Sequence, residues 1–266
     1  MPAVYAHNFF GIEVKRSLNP GLEKFLNQNM DCFTLGLQGP DYLFFYKPFR
    51  KNPVNQLGYQ IHNQPVRNFF GQALPAIHKI GPDNPGYAYL LGFICHFMLD
   101  KECHPYIESE VEKLSFDHIE MESEFEKFLM VQNGLDPLRY PIYRLIPKSN
   151  STAPYVFPLY EGYGFLSADT TAKAIDSTRL FKRLLHAPFA IKRETLDLLL
   201  HLSGHYDSFQ GQLLRKKQNP KSLETNPALL WRFQNAVPKT SDLLEEFHKN
   251  PESCILTHKQ FEQNFV

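Results

Sequence analysis

The chain of 266 residues carries no surplus of charge, since 28 Lys and Arg face 28 Asp and Glu. Without a basic excess there is no electrostatic footprint for long nucleic acid. No block of like charge marks a permanent membrane surface. Cysteine is scarce: Cys32, Cys95, Cys103 and Cys254 form neither a CxxC pair nor a framework spacing, which excludes a disulfide-stapled scaffold. No apolar run reaches bilayer length. The longest, roughly Tyr87 to Leu99, is too short and holds a histidine, so no transmembrane segment is expected. The start, Met1-Pro2-Ala3-Val4, has neither a basic nor an apolar leader region; the expectation is a cytoplasmic protein with no signal peptide. Internal repeats and low-complexity tracts are missing. So is sustained alternation rich in β-branched residues, which leaves strands at most a minor part.

What is present is a globular composition, 43% hydrophobic, with 23 Phe and 13 Tyr against a single Trp, so much of the core should be ring packing. Asn, Pro and Gly punctuate the chain into helices. These run about Ala6 to Leu18, Leu22 to Asn29 and Gln64 to Ile80, then a helix opened by Asn84-Pro85. Further helices follow over Phe116 to Gln132 behind an N-cap at Ser115, Ala172 to His186, Ile191 to Ser203, and Pro227 to Asn250 with an interruption at Pro238. Gly36 to Asn55 and Tyr140 to Ala168 read as irregular. The expected architecture is all-α, a single multi-helix domain spanning residues 1–266.

One helix stands apart. From Leu91 to Asp100 every residue is apolar except His96 and Asp100, the composition of a helix buried on all sides. The two polar residues lie four apart and therefore share a face. A buried imidazole and a buried carboxylate each need a charged or hydrogen-bonding partner; a metal ion satisfies both, and a plain His–Asp hydrogen bond is the competing reading. His104 follows, and because it precedes Pro105 the helix is expected to end or kink there, turning His104 toward a second ion. On the next helix His118 and Glu122 again lie four apart, and with His104 they complete a second set, although an isolated pair of this kind reads as solvated surface. His7, Asp41 and His62 upstream are further candidate ligands. Imidazole nitrogen and carboxylate oxygen are the donors zinc prefers, and manganese or iron takes similar sets. His201 and His205 also lie four apart, without a third ligand nearby.

The ordered series His7, Asp41, His62, His96-x3-Asp100, His104, His118-x3-Glu122 resembles that of the zinc-dependent phospholipase C family, which is kin to the P1-type nucleases. The resemblance covers residues 7 to 122. It implies a helical fold and two to three zinc ions: one held by Asp41, His62, His96 and Asp100, a second by His104, His118 and Glu122, a third by His7 with Asp100 as the bridge. In the family the third set is completed by the amino terminus of a processed chain that begins with Trp. Here Met1, Pro2 or water would have to serve. The resemblance further implies phosphodiester hydrolysis by metal-activated water, with Asp41 the catalytic group that orients or deprotonates it. Tyr42 and Tyr59 match aromatic positions of the choline-lipid members and would form a cation–π wall for a substrate headgroup. The implied partner is a phosphate ester, a phospholipid among the candidates. A nuclease or phosphatase of soluble esters and a non-catalytic zinc protein are the alternatives. Lys47, Arg50 and Lys51 follow Asp41 in the same loop and read as a solvated face. Substrate identity, oligomeric state and the role of residues 135–266 are not legible at this level.

Overall fold

The computed structural model describes residues 3–204 and 206–265. Every regular element among them is helical. The helices are α1 (Val4–Arg16), α2 (Pro20–Gln28), α3 (Met30–Gly36), α4 (Pro53–Asn63), α5 (Val66–Ile80), α6 (Pro85–Leu114), α7 (His118–Gln132), α8 (Ser149–Val156), α9 (Ala168–Leu185), α10 (Ala190–Leu202), α11 (Tyr206–Phe209), α12 (Ser222–Lys249) and α13 (Pro251–Thr257), joined by short 3-10 turns. Four of them start on an Asn-Pro pair: Asn19, Asn52, Asn84 and Asn250 each accept a backbone N–H of the first turn, with the proline at the first helical position. Asparagine oxygen fills an orphan donor there, and proline gives up an N–H that would have had no partner.

The axis of the molecule is α6, 30 residues long, or about 45 Å. Its first half is buried on every side, as the unbroken apolar run requires. α3 crosses it backbone to backbone: a Cβ on Gly36 would sit 2.1 Å from Tyr89 O, and one on Gly92 2.3 Å from Phe33 O, so only glycine permits the approach. α1, α5, α8 and α12 close around the rest. Rings fill the interior, with Phe69 stacked on Phe93 at 4.4 Å and Phe70 edge-on to Phe93, Phe247 and Phe261.

Several helix boundaries differ from the sequence expectation. α6 does not end at Pro105 but continues to Leu114. Proline there removes one backbone bond, and α12 splints the position from outside: Arg232 lies 4.1 Å above the Tyr106 ring and Lys239 donates to Glu102 at 3.0 Å. Ser115 is not an N-cap. It ends α6 in the left-handed region (φ +48°), and Asp117 caps α7 by accepting from Glu120 N–H. The region read as loop from Gly36 to Asn55 ends in the first turn of α4, an additional helix that its capping box at Asn52 and Asn55 begins well before Gln64. The aromatic stretch after Tyr140 folds into α8 and a 3-10 segment, and α12 runs through Pro238 unbroken.

Candidate metal centre

The eight candidate ligands arrive from five places. α1 supplies His7, a tight turn after α3 supplies Asp41, α4 supplies His62, α6 supplies His96, Asp100 and His104, and α7 supplies His118 and Glu122. His96, Asp100 and His104 follow one another at four-residue intervals along one face of α6, which the uninterrupted course through Pro105 preserves. The turn bearing Asp41 is pinned from two sides: Tyr89 Oη donates to Gly39 O (3.1 Å) and Thr178 Oγ1 of α9 donates to Tyr42 O (3.1 Å). Gly39 (φ +50°) carries the chain past His96, whose ring occupies the space a side chain would need.

The side chains form one connected cluster. His62 Nε2 lies 3.0 Å from Asp41 Oδ1, and His96 Nε2 lies 3.6 Å from that same oxygen and 3.1 Å from Asp100 Oδ2. Asp100 Oδ1 faces His7 Nε2 at 3.1 Å and His104 Nε2 at 3.7 Å. Glu122 Oε1 stands 3.3 Å from His104 Nε2 and 3.1 Å from His118 Nε2. Three groups have ligand atoms close enough to share an ion: His7, His96 and Asp100; Asp41, His62 and His96; His104, His118 and Glu122. His96 thus belongs to two groups, between Asp41 and Asp100. Met1 and Pro2, considered for completing the third set, lie outside the described residues. His205 does as well, so the His201–His205 pair is outside them too; His201 itself is exposed on α10.

The imidazole tautomers are set by backbone carbonyls. Nδ1–H of His62 donates to Gly58 O (2.8 Å), that of His96 to Leu37 O (3.3 Å) and that of His104 to Phe265 O (2.6 Å). A neutral imidazole committed in this way turns a bare Nε2 inward, the usual second support of a metal-bound histidine. Inside the cluster the bare nitrogens meet carboxylate oxygens. Neither Nε2 of His62 and His96 nor either oxygen of Asp100 has a hydrogen-bond partner. Facing lone pairs repel unless a cation lies between them, so the donor set fits zinc.

The charges tell the same story. Burial resists ionisation of Asp100, yet His96, His104 and His7 outweigh it and hold the carboxyl well below the usual carboxylate range. Burial also opposes ionisation of Glu122, but hydrogen bonds from His104 and His118 bring it down to about 2. His104 moves the other way. Burial would lower it, while Asp100 and Glu122 raise it to about 9. Without metal, protons supply the positive charge these carboxylates demand. His118 is the open side of the cluster, its side chain 35% exposed where the other ligands are nearly covered.

The aromatic wall does not form. Tyr42 is fully buried, its ring edge-on to Tyr160 at 6.2 Å, because the turn after Asp41 directs the next side chain into the core. Tyr59 is exposed and lies on Phe44 at 4.5 Å. Only Tyr59 reaches solvent.

Sequence reasoning missed three supports. Phe265 holds His104 through its carbonyl and packs its ring against His62 at 4.5 Å. Glu126, one turn beyond Glu122, caps α1 by accepting Tyr5 N–H, and burial pushes it up to about 7. Lys182 of α9 is the only Lys or Arg among the described residues with a fully buried side chain. It donates to Gln212 (3.1 Å), lies over the Phe45 ring, and acts on Glu126, Asp41 and Glu122 through its charge, while burial draws it down to about 8. The Glu-x3-Glu spacing of 122 and 126 was a readable signal; nothing local marked Lys182 or Phe265.

A family profile described as zinc dependent phospholipase C matches residues 6–177. That span takes in every candidate ligand and stops short of Lys182 and Phe265. No curated protein and no solved structure matches the chain.

Proposed function

The chain belongs to the zinc-dependent phospholipase C family, and from that membership we propose that it is a metal-dependent phosphodiester hydrolase of the phospholipase C type, using two to three zinc ions. The observation that carries this reading is Asp100, a fully buried carboxylate set among His7, His96 and His104 with no partner outside those imidazoles. One oxygen for the His7 side and one for the His96 side is what a bridging ligand requires. Asp41, His62 and His96 form a second set and His104, His118 and Glu122 a third.

Bound zinc supplies Lewis acidity toward a phosphate oxygen and lowers the pKa of coordinated water. The protein does the rest by position. The carbonyls of Gly58, Leu37 and Phe265 hold His62, His96 and His104 in one tautomer and one orientation. Asp41, held on its pinned turn, is the group that orients the attacking water and takes its proton. His118 marks the side from which a phosphate ester enters. A structural zinc protein would close all its positions with protein ligands; the exposed side at His118, with only two partners beside it, favours catalysis.

The test is elemental analysis of purified protein beside a panel of soluble phosphodiesters and phosphomonoesters. The expected result is two to three zinc per chain, hydrolysis of diesters in preference to monoesters, loss on exhaustive chelation and recovery with zinc. Full activity after chelation refutes the reading.

A further inference from the structure

α10 leaves a broad apolar surface uncovered. It has no buried residue, and large apolar side chains stand on the side it turns to water. Ile191, Leu198 and Leu202, with Thr195 between them, follow the helical repeat along one stripe. Ile191 is 80% exposed and Leu202 75%, with Leu198 and Leu199 above half; Phe189 at the N-cap is 72% exposed. The face toward the protein holds the half-buried Leu196 and Leu200 beside two polar anchors. Arg193 donates to Ala187 O and Pro188 O (2.9 and 3.0 Å), and Asp197 accepts from Arg215 (2.8 Å). A contiguous exposed apolar surface of this size, beyond the two leucines turned inward, marks an interaction site.

The stripe connects to the metal centre. The loop that leaves Asp41 carries Phe49, 59% exposed, between the exposed Lys47, Arg50 and Lys51. The Phe49 ring meets Phe181 of α9 at 6.4 Å and Phe209 of α11 at 5.6 Å, and α11 packs on α10. Leu180 and Leu184, one turn apart on α9, are exposed as well. The rim is basic. Of the eight Lys and Arg in residues 179–217, Lys182 is buried and Arg179, Lys192, Arg193 and Arg215 are engaged by carbonyls or Asp197, which leaves Arg183, Lys216 and Lys217 exposed beside Lys47, Arg50 and Lys51.

We propose that α10, with Phe189 and the Phe49 loop, docks the protein on an anionic lipid surface. An apolar helix face buried among acyl chains and rimmed by basic residues that meet headgroup phosphates is the signature of an interfacial helix. A second copy of the chain would set like charge against like charge across the same stripe, which disfavours a self-paired face. At 13 residues α10 lies on a bilayer and does not cross it, in keeping with the lack of any described helix long and apolar enough to span one. Resting on the hydrolase reading above, the docked surface would supply the phosphodiester: a phospholipid headgroup presented at the loop that bears Asp41.

The experiment is flotation of zinc-loaded protein with vesicles of phosphatidylcholine and phosphatidylglycerol, and with phosphatidylcholine alone. It is run for the wild type and for the triple variant Ile191→Gln/Leu198→Gln/Leu202→Gln. These side chains are exposed and belong to none of the ligand groups, so hydrolysis of a soluble diester should be equal in both. The wild type is expected to float with the anionic vesicles, less so as salt rises, and the variant to bind on the order of tenfold more weakly. No flotation of the wild type, or equal flotation of the variant, overturns the proposal. A wild-type dimer in sedimentation that becomes a monomer in the variant overturns it too, by making a second copy the occupant. Vesicle binding without any soluble diester hydrolysis upholds docking and refutes the hydrolase reading instead.

Discussion

Gly39→Ala tests whether the position of the His96 ring governs the metal centre. A Cβ at residue 39 would lie 2.2 Å from His96 Cδ2, 2.6 Å from Cγ and 2.7 Å from Nε2. Carbon contacts are comfortable from about 3.5 Å, so the ring would have to recede by roughly 1 Å. It cannot do so freely, because its Nδ1–H is bonded to Leu37 O and the ring is fully buried. A 1 Å misplacement in a preorganised site lowers turnover by about 10²-fold. Alanine at φ +50° adds about 1–2 kcal/mol of backbone strain. Gly134→Ala separates the two effects. Its φ is +71° and nothing lies within 4 Å of its would-be Cβ, so it pays the strain alone. In denaturant titration after chelation Gly134→Ala should lose stability through the strain alone, and Gly39→Ala about 1–3 kcal/mol more for the displaced ring. Only Gly39→Ala should lose zinc by elemental analysis and about 10²-fold in kcat/KM on a soluble diester. If Gly39→Ala keeps wild-type zinc and turnover, the inferred dependence on His96 placement is wrong.

Asp100→Asn keeps shape while removing the charge shared by His7, His96 and His104; at least one zinc per chain should be lost, and hydrolysis should fall by on the order of 10³. Wild-type metal content in that variant would exclude a bridging role. The chelated protein should show a pH window of its own. His104, raised to about 9, contributes stability that is full below its unfolded value of about 6.5 and disappears as pH climbs through about 9. Glu122, lowered to about 2, contributes above its unfolded value of about 4.3 and loses that contribution as pH falls through about 2. The chelated Tm should therefore decline from pH 6.5 to 9, while zinc, which competes with protons for His104, should grow more stabilising over the same range; parallel melting curves with and without chelator would contradict this. Lys182→Met removes the positive charge that acts on buried Glu126, whose carboxyl burial already raises to about 7; urea titration should show a loss of stability that is larger above pH 7 than below it, partly recovered in Lys182→Met/Glu126→Gln. A double variant no more stable than the single one would show that Glu126 is not the partner that matters.

What the sequence disclosed about this centre follows helical arithmetic. His96 and Asp100 in an apolar run, and His118 and Glu122 on the next helix, are neighbours by spacing alone, so the central helix, the all-α fold and the ligand-rich face could be read directly. Pro105 misled because the rule for proline is local, whereas Arg232 and Lys239 on α12 support the helix across a long sequence separation. Tyr42 misled because its direction depends on a 3-10 turn that no periodicity encodes. The deeper gap concerns the second half of the chain. A ligand announces itself by residue type, but the group that orients a ligand can be any backbone carbonyl, and carbonyls leave no mark in a sequence. Phe265 sets the tautomer of His104 from 161 residues away, and the same residue donates its N–H to His62 O at 3.4 Å. Both histidines are thus tied to one short segment beyond the span of the family match. If that segment shifts, two of the three ligand groups lose an orienting contact together. The C-terminal half, silent in motifs, therefore bears on the candidate metal centre through geometry: it fixes which nitrogen His104 offers and packs a ring against His62.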